Sequence, residues 1–100
     1  MPKLSDMVAY QEGSVVSRVV VKNASGSVTV FAFDQGEGLS EHTTPHDALV
    51  HVLDGRADIT LAGEVHRLEA GDALVMPGGV PHALHAPDRF IMSLVMLKNA

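Results

Sequence analysis

The sequence predicts an all-β domain, built as a two-sheet sandwich or a barrel. Three observations carry that reading. Apolar and β-branched runs recur along the 100 residues with turn residues between them. None of these runs keeps the spacing of an amphipathic helix, and segments such as ADITL alternate apolar and polar residues as a strand with one wet face does. The segments number about eight at short, regular spacing, which suits two packed sheets or a closed barrel.

Taken in order, residues 1 to 13 read as an N-terminal arm, in which residues 1 to 10 are open to a short helix. SVVSRVVV (14–21) and SVTVFAF (27–33) are strands, and the NASG between them makes the pair a hairpin. The first carries valines on both faces, Val15, Val19 and Val21 on one and Val16 and Val20 on the other, and so asks for cover on both sides. GLSEHTTPHDALVHVLDG (38–55) holds three of the six histidines. His42 and His46 are spaced as on one helix face, but Thr43, Thr44 and Pro45 oppose a helix because the residue before proline is pushed extended. Any cluster here therefore lies on a strand or loop. A helical metalloprotease motif fails for the same reason, and it lacks the Glu that should follow its first His.

DALVHVL (47–53) is a strand ending at Asp54-Gly55, a dipeptide favoured in tight hairpins, and RADITL (56–61) is its expected return strand. A turn at Ala62-Gly63-Glu64 leads into EVHRL, EAGD turns into ALVMP, and Pro77, Gly78 and Gly79 reverse the chain. A new strand begins at His82, and RFIMSLVML (89–97) closes the domain.

Composition bounds the function. Apolar residues make up 46% and charged ones 19%, with a mean hydropathy of +0.17. That is much hydrophobic surface for a small body, and it predicts a homodimer. The net charge is −5 with the basic residues scattered, which argues against nucleic acid and anionic membrane as partners. No apolar run has the length of a signal peptide core or a bilayer span, so a single cytoplasmic domain over residues 1–100 is expected. There is no cysteine. Thiolate metal sites, disulfides and a Cys nucleophile are excluded, leaving His and carboxylate as the strong ligands.

GDALVMPGGVPHALHA (71–86) carries the other half of a candidate site. Gly71, Pro77, Gly79 and His82 fit a motif of Gly, five residues, Pro, one residue, Gly, two residues and His. With it, the sequence resembles a small single-domain cupin of the conserved-barrel, RmlC-like kind over residues 26 to 97. That resemblance implies a double-stranded β-helix, or jelly-roll β-barrel. Gly55 closes the first motif of that family and His42 takes its first His position, whereas Thr44 stands at the second His position and Ala48 at the acidic one.

The resemblance implies a divalent metal ion (Zn, Fe, Mn, Ni, Co or Cu) at the barrel mouth and a small organic molecule as ligand. With two donor positions vacated, His46 is the replacement nearest in sequence, giving His42, His46 and His82 as the expected ligands, with Asp47 able to orient a ring. Strand alternation turns His51 outward. His66 is expected at the surface, and His85 should face away from His82. Met76, Met92 and Met96 are expected as core filler. The reaction is open among metal-dependent dioxygenase, isomerase and related chemistry, beside a non-catalytic or structural cupin that has lost its metal.

Overall fold

The computed structural model of the chain describes residues 2–98. A 3-10 turn at Leu4–Met7 precedes eight strands: β1 (Val15–Asn23), β2 (Gly26–Phe33), β3 (Gly38–His42), β4 (Asp47–Leu61), β5 (Glu64–Glu69), β6 (Ala73–Met76), β7 (His82–His85) and β8 (Phe90–Leu97). All pairings are antiparallel. One sheet runs β1-β2-β8-β4-β6 and the other β3-β7-β4-β5, so β4 belongs to both and the sheets curl into a jelly roll. No helix among the described residues is long and apolar enough to cross a membrane.

The continuity of β4 corrects one expectation. Asp54-Gly55 is not a hairpin turn but a bend inside a strand of 15 residues. Residues 47–55 pair with β8 and 48–51 with β6, whereas residues 56–61 pair with β5 and β7. Gly55 has φ +76, and the register against β8 shifts between Val52 and Asp54. The left-handed step that could reverse a chain here swings one strand from the first sheet into the second. A true tight turn follows at Ala62 (φ 47) and Gly63 (φ 84), both left-handed as a primed hairpin requires.

A second correction lies in β1. Its register against β2 shifts between Val19 and Val21, so Val19 pairs with Thr29 and Val21 with Val28. Val21 thereby joins the face of Val16 instead of that of Val15 and Val19. Val30 and Ala32, the next residues of β2 on that face, are fully buried.

The core fills the space between the sheets. Phe33 stacks on Phe90 with ring centroids 4.3 Å apart, and Val50, Val52, Ile59 and Met92 are enclosed around them. Met76 and Met92 are core residues, as the sequence predicts. On the back of the first sheet the arm lays Val8 and Tyr10 over Val30, Ala32 and Ile91. It is tied down by polar contacts. The Tyr10 hydroxyl donates to Asp54, and the Arg89 guanidinium sits 5.3 Å from the Tyr10 ring centre. Asp34 accepts from the Gly13 amide at 2.7 Å and from Arg89 Nε at 2.9 Å.

Candidate functional site

The site is built where β3 meets β7. Leu39 pairs with Leu84 and His42 with His82, so β3 uses three steps where β7 uses two. Without that extra residue Glu41 would stand opposite His82. The bulge re-aims the strand and puts an imidazole there instead. The rings of His42 and His82 meet edge to face, with centroids 4.1 Å apart and planes at 66°. His82 is buried, with 7% exposure, whereas His42 is open to solvent.

Each ring is oriented by the backbone two residues before it. His42 Nδ1 lies 2.8 Å from the Ser40 carbonyl oxygen and His82 Nδ1 lies 3.2 Å from that of Val80. A carbonyl only accepts, so Nδ1 carries the proton in both rings. In the neutral imidazole that leaves Nε2 with a free lone pair. Carbonyl-fixed tautomers of this kind are how liganding histidines are usually held.

The loop before β4 is clamped to the reversal before β7. The Gly79 amide donates to the Thr44 carbonyl at 2.7 Å, and the Gly78 amide donates to Asp47 Oδ1 at 2.8 Å. A Cβ at Gly78 would lie 2.4 Å from the Pro45 carbonyl oxygen, whereas Gly79 has open space around it but φ +82. The two glycines thus serve different needs, close approach at 78 and a left-handed backbone at 79.

Within the loop, Thr44 Oγ1 both accepts from the His46 amide and donates to the His46 carbonyl, at 3.2 Å each. His46 is half-buried. Asp47 is engaged with Gly78, so the carboxylate expected to orient a ring holds the loop instead. Ala48 lies in register between Met76 and Met96, which makes the vacated acidic position apolar.

Among the described residues no group of three His, Cys, Asp or Glu side chains stands close enough to hold a metal ion. The structure brings His42 and His82 together and does not add His46 to them in such a group. His51 points out of the barrel as expected, in register with Ser93 and Ala73. His85 is exposed and opposite Asp58 on the outer face. His66 departs from expectation: it is half-buried, in register with the fully buried Ile59, and so on the inner wall. Its alternation with Leu68 was the sequence signal for this. Glu64 continues the row His42, His82, Leu61, but two strand spacings put it about 10 Å from His82.

A cleft of about 520 Å³ opens elsewhere, lined by Arg56, Asp58, Arg67 and Asp72 among others. Its arginines are paired, Arg56 with Asp88 and Arg67 with Asp58. It holds no imidazole, so the candidate site is the histidine pair.

The sequence profile of the cupin domain matches residues 29–98. The chain belongs to the cupin family. The cupin is 37% identical to a conserved protein of unknown function from Streptococcus pyogenes, with a TM-score of 0.95 over 100% of this chain and 88% of that one. It is 36% identical to a cupin 2 conserved barrel domain protein from Leptotrichia buccalis, with a TM-score of 0.91 over 94% of this chain and 46% of that one. Among curated proteins it is 30% identical to a mannose-1-phosphate guanylyltransferase of Salmonella montevideo over 94% of this chain, which spans only 18% of that protein.

Tested against the metal that this fold implies, the cupin's donors fit in part. Two imidazoles whose ring centres lie 4.1 Å apart each keep a lone pair on Nε2, and one of the two residues, His82, is buried. The second His and the acid of the usual set are replaced by a threonine whose hydroxyl is used within its own loop and by an alanine between methionines.

Proposed function

We propose that this cupin binds a small organic molecule at the barrel mouth, and converts it there when a divalent transition metal is held by His42 and His82 with His46 as third donor. The observation that carries the reading is the pair of Nδ1-to-carbonyl bonds on rings whose centres lie 4.1 Å apart, which leaves a lone pair on Nε2 of each ring. Bound there, an ion such as Zn, Fe, Mn, Ni, Co or Cu would supply Lewis-acid or redox chemistry. The chain's own contribution is to fix the two tautomers and shield one ring from water. Leu61 and the methionines beside Ala48 give the molecule an apolar wall. The reaction is one of those that such an ion supports on a small molecule, dioxygenation and isomerisation among them.

A second reading is favoured by the missing third donor: a non-catalytic cupin in which the two imidazoles contact a small ligand directly. Calorimetric titration of Co(II) into metal-stripped, untagged protein separates the two. The first reading expects affinity to fall at least tenfold in His42→Ala, His82→Ala and His46→Ala, with far-UV circular dichroism unchanged, and to stay at the parental value in His51→Ala. A parent that takes up no Co(II) moves the protein to the second reading. Equal affinity in His46→Ala and the parent removes His46 from the ligand set.

We further read the chain as a cytoplasmic homodimer. The apolar composition and the valines left exposed on β1 support the dimer.

A further inference from the structure

The cleft of about 520 Å³ is built on the β4–β5 ladder, where Arg56 pairs with Glu69 and Asp58 with Arg67. These four residues alternate with the buried Ala57 and Leu68, so their side chains stand on the outer face of the second sheet. Asp72 from the turn after β5 and Pro87 from the loop before β8 complete the walls. His82 lies on the inner face, and its partner Leu61 stands three residues along β4 from Asp58, about 10 Å away. The cleft is therefore separate from the histidine pair, and its volume is in the range of small-molecule sites, about 300–1,000 Å³.

An ion pair at its floor is only half made. The Asp58 side chain is 17% exposed, and its buried Oδ1 has no hydrogen bond among the described residues. Arg67 Nε lies 3.4 Å from that oxygen, close enough for an ion pair but long for a hydrogen bond, and the Arg67 side chain is otherwise in solvent, 85% exposed. His85, in register on the other side of Asp58, gives Oδ1 no hydrogen bond either. Arg56 does not serve, because its Nε and Nη2 both donate to Asp88. That leaves the carboxylates of Asp58, Glu69 and Asp72 against the guanidinium of Arg67. A buried carboxylate short of donors, beside a guanidinium short of acceptors, suits a ligand that brings both.

We propose that this cleft binds a basic amino acid. Its α-ammonium donates to Asp58 Oδ1, its α-carboxylate accepts from the fork of Arg67, and its side-chain cation reaches Glu69 and Asp72. Charge favours a basic ligand over a neutral one. A zwitterion inserted into the Asp58–Arg67 pair leaves the other two carboxylates uncompensated, and a further positive charge lies between them. Register supplies the spacing, since Glu69 stands diagonal to Asp58 across the ladder, about 7–8 Å away, within the span of a lysine or arginine side chain. Asp72 is fixed by the Glu69 amide, which donates to its Oδ2 at 2.8 Å and leaves Oδ1 for the ligand. A metal ion does not suit the same carboxylates, because among the described residues no three such groups stand close enough to share one. An organic cation spreads its donors over a longer reach.

Calorimetric titration with three probes tests the proposal: L-arginine, agmatine, which lacks the carboxylate, and L-norvaline, which lacks the guanidinium. L-Arginine is expected to bind the parent in the micromolar range, and each truncated probe roughly tenfold more weakly or worse, as the loss of a charge-assisted bond implies. Asp58→Asn should weaken L-arginine by a similar factor. Arg67→Ala changes a side chain that is 85% exposed, so it keeps the fold, and it should bind L-arginine and agmatine alike. Backbone amide shifts on adding L-arginine should move at residues 56–58 and 67–69 and stay in place at His42 and His82. A parent that takes up no L-arginine, or that binds either truncated probe as tightly, overturns the proposal. So does an Arg67→Ala variant that still prefers L-arginine to agmatine, or a set of shifts centred on the histidine pair.

Discussion

Replacing Gly55 with alanine strikes the bend that carries β4 from one sheet to the other. The added Cβ would lie 1.7 Å from the Arg89 carbonyl oxygen, half of the 3.4 Å at which ordinary contact begins, and 2.9 Å from the Phe90 Cα. The obstacle is backbone, so no rotamer change relieves it, and β4 must part from β8 beside the stacked Phe33 and Phe90. The left-handed φ of +76 costs an alanine about 1 kcal/mol, and overpacking adds about 1–3 kcal/mol. The total, about 2–4 kcal/mol, is a large share of the 5–15 kcal/mol typical of a whole domain. At about 4–8 °C per kcal/mol for a chain of this size, the melting temperature should fall by roughly 10–30 °C. Gly71→Ala is the internal control, because Gly71 has φ +96 with nothing within 4 Å, and it should lose only about 1 kcal/mol. Thermal unfolding followed by circular dichroism compares them. Two variants melting within a few degrees of each other would refute the clash and with it the assigned role of the bend.

Gly78→Ala should displace the loop that carries His46 and lower metal affinity as well as stability, since its Cβ meets the Pro45 carbonyl; Gly79→Ala should cost about 1 kcal/mol from its backbone alone. Calorimetry and melting curves on both distinguish the two roles. Tyr10→Phe removes the hydroxyl bonded to Asp54 and should destabilise the arm by about 1 kcal/mol, visible as faster amide exchange at Val8 and neighbouring residues. Burial first, and then the Asp54 carboxylate, push the Tyr10 hydroxyl well above its ordinary value. The arm's contribution from this group is therefore present below about pH 10 and is lost as pH rises toward the raised value. Asp34 works with the opposite sign. The Gly13 amide first, and then Arg89, hold its carboxyl below the ordinary range, so its contribution is present above about pH 4 and fades as pH falls through the lowered value.

Much of the fold was legible because period and turn chemistry agreed. The NASG hairpin, the Ala62-Gly63 turn and the outward-facing His51 stand where alternation puts them. Asp54-Gly55 misled because a left-handed glycine serves a bend within a strand as well as a reversal, and only the partners of β4 decide between them. Half of the candidate site was pointed to by the family resemblance, which rests on the Gly71, Pro77 and Gly79 spacing and implies His82. His42 faces it through a one-residue bulge in β3, and nothing in GLSEH announces that bulge. The clamp between Asp47 and Gly78 joins residues 31 apart in sequence, which local pattern cannot reveal. His66 was misplaced because its charged neighbours drew more weight than its alternation with Leu68.

The proposed function requires the Nε2 atoms of His42 and His82, whose ring centres lie 4.1 Å apart, to share one ion. Anomalous diffraction at the cobalt edge, from crystals of the untagged protein equilibrated with Co(II), tests that directly. The account predicts a peak about 2.1 Å from Nε2 of both His42 and His82. A peak on the Nδ1 side of either ring, or none between them in protein that titrates with metal in solution, would contradict it.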